Sequence, residues 1–149
     1  MHSTFREDPT GAWNTRPRAA YRTDVPVHLG LTAKISLIVS NDDTAVAAHS
    51  GDVDVLSTPR IVALCEEAAV AAIAGQLAAG ETSVGMRVQL DHLAPSAVGS
   101  TVTASAKLEK VEGRRLKFSV SVTDARGLVA AGKVTRVVVE RDRFMDKCL

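Results

Sequence analysis

Aromatic side chains are scarce. They make up 3% of the 149 residues, and Phe5, Trp13 and Tyr21 all fall near the N-terminus. Any core beyond them must be built from Val, Ala, Leu and Ile. Cysteine is scarcer still. Cys65 and Cys148 have no CxxC spacing and no cysteine and histidine cluster around them. That excludes a disulfide framework, a redox pair and a zinc site, and it fits a reduced cytoplasmic protein. Charge of one sign is also missing: 18 basic against 17 acidic residues leave a net charge of +1. Neither nucleic acid nor an anionic membrane is expected as partner from so even a balance. Long apolar runs are absent as well. No segment is long enough to cross a bilayer, and MHSTFREDPTGAWNTRPRAAYRTDVP lacks the apolar stretch of a secretion signal. A small molecule or another protein is left as partner.

What is present fits one domain over residues 30–149, preceded by a tail over residues 1–29 in which Trp13 is the one conspicuous side chain. LGLTAKISLIVS reads as a strand, and NDDTAVAAHSGDVDVL as a strand end and a connecting loop. STPRIVALCEEAAVAAI then reads as a helix. Thr58 before Pro59 is a start signal, since threonine caps free amides and proline suits the first turn, and Gly80 after QLAA is a stop. In SVGMRVQLDHL strict alternation puts Val84, Met86, Val88, Leu90 and His92 on one face and Gly85, Arg87, Gln89 and Asp91 on the other. TVTASAKLE and LKFSVSV alternate too, turning inward Val102, Ala104, Ala106 and Leu108, then Leu116, Phe118, Val120 and Val122. VEGRR and DARG make turns, and LVAAGKVTRVVVE completes a meander. One apolar helix followed by antiparallel strands predicts an α+β fold, with the helix on one face of a curved sheet. A helix apolar on nearly every side needs covering on nearly every side, which predicts a second subunit.

The helix carries two adjacent acids that need different explanations. Glu66 shares its face with Val62, Ala69, Val70 and Ile73, whereas Glu67 lines up with Arg60 and a route to solvent. A carboxyl group forced among apolar neighbours is the kind that general acid and base work exploits, so Glu66 is the candidate. His92, at the end of an inward strand face, is either a satisfied core histidine or the partner of that acid. Thr58 is either the helix cap or a substrate-orienting hydroxyl, and Cys65 is a packing residue rather than a nucleophile. Eight residues of regular helix separate Thr58 from Glu66 by roughly 12 Å. Either the first turn is irregular, or the site is assembled from two chains across a two-fold axis.

The runs STPRIVALCEEA, GETSVGMRVQLDHLAPSAVGSTVTASAKL and VEGRRLKFSVSVTDARGLVAAGKVTRVVV resemble the hot-dog-fold thioesterases, specifically the fluoroacetyl-CoA thioesterase group. The resemblance covers about Leu31 to Phe144. It implies a hot-dog fold, in which a curved antiparallel sheet wraps one long central helix, and a homodimer or larger homo-oligomer. It implies hydrolysis of an acyl-CoA to a carboxylate and free CoA, with no cofactor and no metal. It also implies catalytic roles for Thr58, Glu66 and His92 and a substrate-binding Gly85: Glu66 attacks the carbonyl or activates water, His92 carries the proton, Thr58 positions the substrate, and the Gly85 amide steadies the oxyanion. The sequence departs from that group in a shorter, aromatic-free connecting stretch, NDDTAVAAHSGDVDVL, and in Glu67, where an aromatic is expected. A fluoroacetyl preference is therefore not expected, and the carrier is either CoA or an acyl carrier protein. The competing expectations are a non-catalytic acyl-CoA binding or regulatory module, favoured if Glu66 pairs with Arg60, and a hydratase, disfavoured because LAPS after His92 carries no carboxylate.

Overall fold

The computed structural model describes residues 27–149. Most of the expected tail, residues 1–26, lies outside the described residues; of its last three, Val27 is buried in the core. Five strands, β1 (Thr32–Ile38), β2 (Glu81–His92), β3 (Thr101–Glu112), β4 (Arg115–Asp124) and β5 (Gly127–Glu140), form one sheet. Their order is β1-β3-β4-β5-β2, and every pairing is antiparallel. Helix α1 (Thr58–Ala72) packs across all five strands, and a short helix α2 (Arg141–Asp146) follows β5. β1 and β2 are the sheet edges. This is the α+β arrangement expected, with one long helix on one face of a sheet.

Period-two patterning places the core where it was expected. Val102, Ala104, Ala106 and Leu108 of β3 and Leu116, Phe118, Val120 and Val122 of β4 are all buried. They meet Ile61, Leu64, Cys65, Ala68, Ala69 and Ala72 of α1. Alanine on both sides lets helix and sheet approach closely, and Phe118 is the one aromatic among the buried core residues described.

Three local readings are corrected. The cap of α1 is Ser57, whose Oγ accepts the Arg60 amide at 3.1 Å, so Thr58 is already helical and its hydroxyl is free for other work. The helix stops at Ala72, well before Gly80, because Gly75 takes a left-handed φ of 75° that ends the helical path. Gly80, with φ 80°, belongs instead to the turn into β2. The strict alternation of β2 also fails. A β-bulge between Gly85 and Arg87 shifts the register against β5, so the facing of residues before the bulge is reversed relative to those after it. Met86, expected inward, is 49% exposed, and Gly85 faces the helix together with Val88, Leu90 and His92.

The connecting segment after β1 is tied down by an ionic anchor. Asp43, in a one-turn 3-10 helix (Asn41–Asp43), accepts hydrogen bonds from the Ser40 amide (2.8 Å) and hydroxyl (3.0 Å) and from Arg60 Nε (3.0 Å). Burial alone pushes its carboxyl up, but the Ser40 hydrogen bonds and the Arg60 guanidinium outweigh this and hold it below the usual carboxylate value. Arg60 also reaches Glu67 at 4.0 Å, the cationic neighbour and solvent-facing position expected for that acid.

Candidate active site

The bulge, the cap and the two edges together create two separate constellations on the helix-facing side of the sheet.

The first forms at the N-terminal end of α1. With Ser57 serving as cap, Thr58 Oγ1 lies 2.8 Å from His92 Nδ1, across from the last residue of β2. The hydrogen bond fixes the imidazole and leaves Nε2 as the atom available for chemistry. That atom is buried and has no hydrogen-bond partner among the described residues. A buried ring nitrogen without a partner costs free energy in the resting protein and is the natural receptor for a group brought by a substrate. Ser96, in the loop after β2, has a second such atom, its Oγ.

The second constellation forms further along α1. Glu66 Oε2 accepts a hydrogen bond from Arg136 at 3.0 Å. Arg136 comes from β5 and its side chain is only 8% exposed, while that of Glu66 is 33% exposed. The guanidinium also donates to Ser83 Oγ at 2.9 Å and to the Ser83 carbonyl at 3.0 Å, so it is gripped by β2 on one side and holds Glu66 on the other. The apolar surroundings expected for Glu66 are thus corrected: the residue it meets is a cation, whose hydrogen bond holds and orients the side chain. Gly85 is adjacent, and a methyl group built on it would collide with Glu66 Oε2. Glycine is needed here for close approach, not for an unusual φ.

Of the expected residues, therefore, Thr58 joins His92 and Glu66 joins Gly85, but the two pairs do not meet within one chain. Gly85 and His92 stand roughly 20 Å apart along β2, and α1 is helical from Thr58, which excludes the irregular first turn. Sequence reasoning missed Arg136. Its signal was present: Val134 and Val138, two residues to either side of it, are buried, so an arginine of the same parity points inward and requires a partner. Cys65 is the buried packing residue expected. Burial, and secondarily the Glu66 charge, push its thiol up to about 11, which makes it inert as a nucleophile.

A helix laid on the face of a five-stranded antiparallel sheet, carrying an acid at its middle and, at its start, a threonine bonded to a histidine at the end of β2, defines the class: this is a hot-dog thioesterase fold. The solved structure of a fluoroacetyl-CoA thioesterase superposes with a TM-score of 0.78 and 30% identity, covering 82% of this chain and 95% of that one. A Thermus thermophilus hypothetical protein described as a thioesterase superfamily member gives a TM-score of 0.77 at 26% identity, covering 83% and 91%. By sequence, the fluoroacetyl-CoA thioesterase of Streptantibioticus cattleyicolor is 38% identical over 94 residues, 63% of this chain and 68% of that protein. The model of the fluoroacetyl-CoA-specific thioesterase family matches residues 39–142. The chain belongs to that family and is a thioester hydrolase.

Proposed function

We propose that the protein hydrolyses a short or medium acyl-CoA to the carboxylate and free CoA at sites shared between two copies of the chain. The observation that carries this reading is the pairing of an arginine-held Glu66 with Gly85 at one place and a threonine-held His92 with an unpartnered Nε2 at another. Each constellation is half of what thioester hydrolysis requires.

Two features support the shared site. β2 is a sheet edge of 12 residues carrying both Gly85 and His92, and such an edge invites pairing with another strand. Antiparallel pairing of two β2 edges about a two-fold axis brings the Gly85 end of one copy toward the His92 end of the other. Beside it, α1 leaves exposed a stripe of Pro59, Ala63, Glu67 and Val70, which a second copy would cover.

In the completed site, Arg136 holds Glu66 Oε2, leaving Oε1 to act on the thioester carbonyl, either directly or through a water. Direct attack expels the CoA thiolate and leaves a mixed anhydride that water then cleaves; through water, the hydroxide adds and the thiolate leaves from the tetrahedral intermediate. The Gly85 amide steadies the carbonyl oxygen as its charge grows. His92 Nε2 gives its proton to the leaving sulfur, and Thr58 holds the ring in place. The reaction proposed uses these side chains and water, with no metal or cofactor. The segment between β1 and α1 has no aromatic residue, which argues against an aromatic gate and a fluoroacetyl preference. Two free cysteines, Cys65 buried and Cys148 exposed, suit a cytoplasmic setting, and no helix among the described residues is long and apolar enough to cross a membrane.

The test is release of free thiol from a panel of acyl-CoAs running from small substituted acetyl groups to long chains. Turnover on part of the panel is expected, and Glu66→Gln should lower kcat by roughly 10²–10⁴-fold, the worth of a positioned acid or base, without unfolding the protein. Full activity in Glu66→Gln removes that residue from the mechanism. A binding module would instead show saturable acyl-CoA binding with no thiol release, and its expected pairing of Glu66 with Arg60 is not what forms: Arg60 holds Asp43 and Glu67.

A further inference from the structure

The face of the sheet turned away from α1 carries a second feature that the hydrolase reading does not use. Along β1, β3 and β4 the outward positions are mostly small and hydroxylated: Ser36, Thr103, Ser105, Ser119 and Ser121. Two long cationic side chains interrupt them. Lys34 pairs in register with Ser105, and Lys107 with Thr32 on one side and Ser119 on the other. The two lysines therefore occupy opposite corners of a cell two strands wide and two residues long, with α-carbons roughly 8 Å apart. Small residues between long ones leave a depression. It measures about 290 Å³ and is lined by Thr32, Lys34, Ser105, Lys107, Ser119 and Ser121, with backbone of the residues between them.

The electrostatics of this recess are one-sided. Among the described residues neither Lys34 nor Lys107 forms an ion pair, in contrast to Lys110 and Lys117, which both bind Glu112. Lys133 adds a third ammonium without an ion pair, one strand further across, in register with Ser119. One acid approaches: Glu109 accepts the Ser119 hydroxyl at 2.9 Å. Three cations against that carboxylate leave the recess positive.

We propose that this recess is a binding site for the phosphate group of a small phosphorylated molecule, distinct from the thioester site on the opposite face of the sheet. The ammonium groups of Lys34 and Lys107, at diagonally opposed positions, match the charge of a phosphate monoester or diphosphate, and the hydroxyls of Thr32, Ser105 and Ser121 supply donors for its remaining oxygens, that of Ser119 being given to Glu109. Ser105, Ser119 and Ser121 keep the floor low enough for the anion to reach both lysines at once.

The test is calorimetric titration of the full chain with inorganic pyrophosphate at low ionic strength. Saturable binding is expected, weakened roughly tenfold or more in the double variant Lys34→Gln/Lys107→Gln, because two charge-assisted contacts are lost. It should be unchanged in Lys147→Gln, which removes one charge at the C-terminus away from the sheet. Absence of saturable binding in the parent protein overturns the proposal, as does binding that survives the double variant, or an equal loss in Lys147→Gln. None of these readouts depends on thioesterase turnover, so this inference and the hydrolase reading stand or fall separately.

Discussion

The two constellations along α1 are held in opposite ways. Glu66 is clamped: an almost fully buried Arg136 binds it, Ser83 binds Arg136 twice, and Gly85 gives up its side chain to let the carboxylate in. His92 is tethered by one hydrogen bond between its Nδ1 and an exposed threonine, and its second nitrogen has no partner among the described residues. A group that acts on a carbonyl carbon must be aimed, because small errors in its angle of approach are costly. A proton carrier has to give and take a proton, and a rigid network would oppose that change. The clamped carboxylate is tied through Arg136 into the sheet, whereas the histidine is held only by the exposed first residue of α1.

This contrast can be sharpened by mutation. Arg136→Gln should have the largest effect, because it strikes stability and activity together. Losing a buried cation and stranding its partners costs about 2–3 kcal/mol, a value reduced from that of a fully buried pair because Glu66 is partly solvated. Urea denaturation should show that loss, with turnover falling at the same time. Thr58→Val on the tethered side should act more weakly and on chemistry alone: kcat falls roughly tenfold, the worth of one hydrogen bond of about 1.4 kcal/mol, while the denaturation midpoint stays nearly unchanged. If Thr58→Val destabilises the protein as much as Arg136→Gln, the contrast is wrong.

The smallest effect concerns neither half but the segment that frames them. The Asp43 carboxyl is held below its ordinary 3.8. A depressed carboxylate contributes stability above its unfolded value and loses it as pH falls through the folded one. Asp43→Asn should therefore melt at a lower temperature than the parent at neutral pH, and the gap should close below pH 3.8, as thermal scans across acid pH will show. A gap that widens in acid contradicts the anchor described for Asp43 and Arg60.

Much of this was legible in the sequence, for reasons that differ from residue to residue. Strand β3 as far as Leu108 and β4 as far as Val122 alternate without interruption, and a solvated face opposite a buried one leaves period-two patterning no freedom there. Glu66 and Glu67 separate on a helical wheel because 3.6-residue periodicity gives them different neighbours. β2 misled because a bulge adds one residue without any signature in composition, and one extra residue reverses the facing of everything before it; Gly85 was placed outward for this reason. Thr58 and Ser57 are equally competent caps, and only the fold shows that the serine takes the role and releases the threonine to His92. Arg136 escaped notice inside an apolar run whose alternation was imperfect, although its parity with Val134 and Val138 marked it as inward.

The central claim is that one chain supplies Glu66 and another supplies His92. Co-expression of Glu66→Gln with His92→Ala tests it directly, since each variant alone lacks one half of every site. With shared sites, mixed dimers regain one intact site of two, and a random mixture should recover about a quarter of the parental activity per chain. If the mixture is as inactive as either variant alone while mixed dimers are shown to form, both residues work within one chain and the shared-site account is wrong.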